Sequence, residues 1–139
     1  MKEFTCFFLF FISSFPISAQ LSPDTLALLD EYVEIADAAY EKKDYKQAAI
    51  YYEKSLKIDD NSNGLARLTT ESYAQSGDMT KAIEYLEYFI RVQKGYGFTS
   101  FSEDIEENEL LDPIKELDAY KKIIENLRIF EEEEAEKER

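Results

Sequence analysis

The residues best placed to do chemistry are acids. Asp59-Asp60-Asn61-Ser62-Asn63-Gly64 sets oxygen-bearing side chains at alternate positions with glycine sixth, the opening of a calcium loop. Such a loop needs a bidentate glutamate at its last position. Thr70 stands there and Glu71 comes one residue late, so the segment reads as a turn rich in Asn, Ser and Gly. Glu103, Asp104, Glu106 and Glu107 place carboxylates in pairs. No nucleophile, base or ligand set accompanies them, and acids suit the first turn of a helix in any case. The chain has no histidine, the commonest base near neutrality and the commonest metal ligand. Cys6 is its single cysteine, which excludes an intramolecular disulfide. Gly95 and Gly97 lack the context of a phosphate loop. The residues point away from catalysis, and no metal or cofactor is expected.

The 139 residues suit one domain. A net charge of -14 repels nucleic acid and anionic lipid, keeps the chain soluble and favours a basic partner. Residues 1–19 read as an export signal. Lys2 precedes a run from Phe7 to Ile12, six phenylalanines crowd the segment, and Pro16 leads to the small residue Ala19. The run is shorter than the roughly 20 residues of a permanent span, so no integral membrane span is expected after cleavage. A periplasmic or secreted protein of bacterial type is expected.

Downstream, apolar residues recur with helical period, and six helices are expected: 24–42, 45–58, 63–76, 79–93, 103–111 and 113 to about 134. Displacing the chain by 34 residues superposes Asp44 on Asp78, Ala48 on Ala82, Tyr51 on Tyr85 and Glu53 on Glu87. Tyr52 falls on Leu86 and Leu56 on Ile90. The alanines are small where two helices cross closely. Tyr52 with Leu56, and Leu86 with Ile90, lie four apart on one face and bury together. Asp44 and Asp78 suit helix N-caps after the turns Lys43-Asp44 and Gly77-Asp78.

Residues 29–62 and 63–96 therefore resemble two tetratricopeptide repeats. The resemblance is carried by the run Asp44 to Leu56 and by Tyr73, Gly77-Asp78, Ala82-Ile83 and Tyr85-Leu86, with Ala36 and Thr70 at the small position of each first helix. Ala39 stands where the second repeat has Tyr73, Phe89 where the first has Ser55, and Asp60 and Lys94 where a closing proline is usual. The expected fold is all-α: a lead-in at 20–28, two helical hairpins, capping helices at 97–130 and a charged acidic tail at 131–139. A further displacement fails, because Glu116 would replace the crossing alanine and Pro113 would enter the turn. Residues Glu109 to Leu117, followed by Tyr120, Ile124 and Leu127, instead resemble a capping segment that covers the second repeat.

The resemblance implies an inner groove lined by the first helix of each pair. Its candidates are Asp30, Val33, Asp37, Tyr40 and Glu41, then Arg67, Glu71, Ala74 and Gln75. Val33 and Asp37 replace the lysine and asparagine that clamp a peptide carboxylate elsewhere in the family. The acidic groove implies a protein or peptide partner bearing lysine or arginine, in a scaffold of the cell envelope. The alternative is a structural role by self-association, as a homodimer, since two repeats fall short of the three usually needed. The ten tyrosines are assigned chiefly to hairpin cores.

Overall fold

The computed structural model describes residues 21–139; the export-signal reading of 1–19 lies outside the described residues. Four long helices come first: α1 (Pro23–Glu41), α2 (Tyr45–Ile58), α3 (Asn63–Ser76) and α4 (Met79–Gly95). Each packs on the next, so α1 and α2 form one hairpin, α3 and α4 a second, and α2 lies against α3. Ser22 opens α1 by accepting from the Thr25 amide at 3.2 Å, with Pro23 filling the first position, where a missing N–H costs nothing.

The two hairpin turns are built alike. Asp44 and Asp78 each cap the second helix, accepting from the amides of Gln47 (3.2 Å) and Lys81 (3.1 Å). The amides of Asp44 and Asp78 reach back to the carbonyls of Ala39 and Tyr73, at 2.9 and 3.2 Å. The residue before each aspartate takes a left-handed backbone: φ is 59° at Lys43 and 87° at Gly77. Ala48 and Ala82 are both fully buried at the helix crossings. Thr70, in the place of Ala36, is buried without loss because its hydroxyl bonds the Ala66 carbonyl at 2.8 Å. The repeat register of the sequence is thus a repeat of geometry.

A half-buried polar knot ties the hairpins together. Glu53 on α2 accepts from Lys81 of α4 (2.7 Å), from the Tyr73 hydroxyl of α3 and from Lys57 (3.0 Å). Burial alone would raise the Glu53 carboxyl, but the three donors outweigh it and bring it to about 2. Tyr73 stacks on Tyr85 with ring centroids 5.5 Å apart. Tyr52, Tyr73, Tyr85 and Tyr120 are buried, so the core reading of the tyrosines holds for these four, while Tyr96 is exposed.

The last third is more broken than its sequence implies. The expected helix 103–111 divides into α5 (Ser102–Glu107) and a 3-10 turn at Glu109–Leu111. The expected helix from 113 divides into α6 (Asp112–Lys115) and α7 (Asp118–Lys137). The first break falls at Asn108 and the second at Leu117, both with extended backbone. These kinks let Leu111 and Ile114 turn inward, and α6 packs on both α3 and α4. Ile114, Tyr120, Ile124 and Leu127 are buried, and α7 packs on α4, as a capping segment requires.

The charged acidic segment 131–139 is not separate from the cap at its start. α7 remains helical to Lys137, and Glu131 is built into the cap. Its Oε1 accepts from the amides of Phe101 (2.6 Å) and Ser102 (2.7 Å), and its Oε2 from the Ser102 hydroxyl (2.6 Å). It supplies the N-terminal cap that α5 lacks from its own residues. Burial opposes ionisation there, but the hydroxyl and amide bonds prevail and hold the carboxyl below its ordinary range.

Candidate partner-binding groove

The candidates fall on two helices in matching register. Val33 corresponds to Arg67, Asp37 to Glu71, Tyr40 to Ala74 and Glu41 to Gln75, each displaced by 34 residues. On α1, Asp30, Asp37 and Glu41 are exposed, while Val33 and Tyr40 are half-buried against the core. Asp37 accepts the Tyr52 hydroxyl at 2.5 Å, which pins its carboxylate to the hairpin without covering it. This half of the groove is open and acidic.

The α3 half is different. Glu71 and Ala74 are each only 1% exposed. As partner contacts these two are corrected: both are buried, and Glu71 is reached by the chain's own C-terminal segment. The 3-10 turn packs on α3, Gln75 donates to the Leu110 carbonyl at 2.9 Å, and Asn108 donates to Glu71 at 2.8 Å. Gln75 is therefore already engaged. Of the α3 candidates, Arg67 alone keeps a half-exposed side chain, at 51%.

Glu71 is the centre of this closure. Its Oε1 accepts from Arg67 (2.8 Å) and Asn108, and its Oε2 from the Tyr40 hydroxyl of α1 (3.1 Å). A buried carboxylate is tolerable only when charge and lone pairs are met in this way. Burial first, and the Glu71 charge second, push the Tyr40 hydroxyl above its ordinary range, so it remains a donor. Three elements meet on one side chain: the end of α1, the middle of α3 and the break after α5. Sequence reasoning places Tyr40, Arg67 and Glu71 on one groove, and the structure brings these three together. Asp30 lies about two turns before Asp37 on α1 and is not part of this junction.

Beside this junction is a cavity of about 150 Å³. Phe89, Phe101, Ile105 and Leu111 give it an apolar base, and all four are buried. Arg67, Gln93, Asp104 and Asn108 supply its polar groups. The contributions of Asp104, Ile105 and Asn108 were not legible as groove residues, since they come from a segment with no repeat register. Asn108 carried one local signal: a residue suited to breaking a helix, four residues after an acidic helical start. Among the described residues no three His, Cys, Asp or Glu converge as a metal site, and no helix is long and apolar enough to cross a membrane. In the turn at 59–64, Ser62 caps α3 and the Asn61 carbonyl accepts the Tyr96 hydroxyl at 2.8 Å, so these groups serve the fold.

Comparison with known proteins bears on the first hairpin. Residues 30–62 match the family model of the tetratricopeptide repeat. No curated protein and no solved structure matches the chain.

Proposed function

We propose that the chain, whose residues 30–62 match the tetratricopeptide repeat, holds a basic protein segment on the open acidic face of its first repeat. Repeats of this kind generally serve protein–protein interaction and scaffolding, which supports a coarse role of that sort here. The finer reading is supported by one observation above the rest: Asp30, Asp37 and Glu41 stand exposed along one helix, while the matching face of α3 is occupied by the chain itself. A partner therefore meets carboxylates from α1 with Arg67 as the neighbouring cation, and that cation is already paired with Glu71. Lysine or arginine on an extended segment complements such a face. The leader-like residues 1–19 support placement in the cell envelope or outside the cell.

The test is affinity capture by crosslinking from the native envelope, followed by binding measurements with the captured partner. Asp37→Lys with Glu41→Lys is expected to weaken binding at least about tenfold, with a salt dependence that the reversal abolishes. An unchanged affinity overturns the groove reading. A second reading, self-association without a groove ligand, is favoured by Leu26 and Leu28, which stand 46% and 39% exposed near the start of α1. Light scattering separates the two: a monomer that still binds its partner rejects self-association as the function.

A further inference from the structure

We propose that the cavity between α3, α4 and residues 101–111 is an anchor pocket for one aromatic side chain of the basic segment held by the groove. This rests on the groove reading above and names the residue type that fixes the segment's register. The volume, about 150 Å³, is that of a cavity able to hold a benzene-sized ring. Phe89, Phe101, Ile105 and Leu111 form an apolar base beneath a polar rim, and the two phenylalanines are natural partners for a bound ring. A long charged side chain could not be desolvated there without a partner, because the one buried charge, Glu71, already has three donors.

The surroundings select a basic context for that ring. Asp104 lines the cavity, is exposed, and has no ion-pair or hydrogen-bond partner among the described residues. Gln93 uses its carbonyl oxygen on Asn63 at 2.8 Å and leaves its NH₂ without a partner among the described residues, ready for a peptide carbonyl. The Tyr40–Glu71 bond links the cavity to the end of α1, where Glu41 and Asp37 continue the acidic face. One aromatic residue flanked by lysines thus meets an apolar base, a free carboxylate beside it and further carboxylates along the groove.

The probe is an acetylated, amidated pentapeptide with phenylalanine between two pairs of lysines, compared by calorimetry with its alanine counterpart. The phenylalanine peptide is expected to bind the purified protein about tenfold or more tightly than the alanine peptide. Asp104→Lys, at an exposed position that leaves the core intact, is expected to weaken the phenylalanine peptide severalfold. Ile105→Trp, which fills the cavity, should erase the difference between the peptides while a thermal melt verifies folding. Equal binding of the two peptides to the unaltered protein overturns the pocket; if Asp37→Lys with Glu41→Lys still weakens both, the groove reading survives alone. A phenylalanine preference that ignores those two reversals upholds the pocket and rejects the groove. Failure of both peptides to bind rejects pocket and groove together.

Discussion

Asp37 and Glu71 hold the same position in two successive repeats, and their surroundings are opposite. Asp37 is exposed and meets one tyrosine hydroxyl. Glu71 is buried and meets a tyrosine, an arginine and an asparagine from three different elements. The first repeat leaves the acidic positions of its inner face exposed; the second has much of its inner face against the chain's own C-terminal segment. A repeat array must close its last apolar surface, and here closing it also consumes half of the groove. What remains is a short open face ending in a cavity, rather than a continuous channel.

Removing the closure should cost far more than altering the open face. Ile114 is fully buried beneath both α3 and α4. Ile114→Ala is expected to lower stability by roughly 2–4 kcal/mol in chemical denaturation. Val33→Ala, on the half-buried face of α1, should cost less than about 1.5 kcal/mol by the same measurement. Equal losses would mean that the two inner faces are packed alike.

Glu71→Ala should follow, at about 2–3 kcal/mol, since it leaves Tyr40, Asn108 and the half-exposed Arg67 without their acceptor. Asp37→Ala should cost less than about 1 kcal/mol. Hydrogen exchange sharpens this pair: amides of residues 101–111 should open faster in Glu71→Ala and stay unchanged in Asp37→Ala.

Acid should act on the links between elements. Glu53 has its carboxyl depressed to about 2, so its contribution is full above the ordinary value of 4.5 and is lost as pH falls from there toward 2. Glu131 is also depressed and contributes in the same direction. Thermal melts should therefore decline across that interval, and Glu53→Gln should flatten the decline while lowering stability at neutral pH.

The smallest effect concerns the two turns. Lys43 occupies the left-handed conformation that Gly77 occupies in the second repeat. Lys43→Gly should stabilise by up to about 1 kcal/mol, and Gly77→Ala should destabilise by about 1–2 kcal/mol through backbone strain alone. Outside the local backbone and the two neighbouring residues, no atom lies within 4 Å of the side-chain carbon that Gly77→Ala would add. Opposite signs in thermal melts would show that one turn geometry serves both repeats.

Within each repeat, the residues by themselves determined the helices, the caps and the register. Period, Asp44 and Asp78 before each second helix, and the alanines at the crossings are local or near-local constraints, and a 34-residue displacement exposes them. The bounds of α2 and α3 agree with that reading to the residue. The acidic character of the α1 face was equally legible, because exposure there follows from helical spacing alone. Which half of the groove stays open was decided only in three dimensions. Asn108 reaches Glu71 across 37 residues, Gln75 reaches the Leu110 carbonyl across 35, and Glu131 caps α5 across 29 and 30. None of these pairs is related by a repeat period, and no local signal names the partner of either residue. They exist because breaks at Asn108 and Leu117 let a short, irregular segment fold against α3, where burying Leu111 and Ile114 outweighs the helical bonds given up at the kinks.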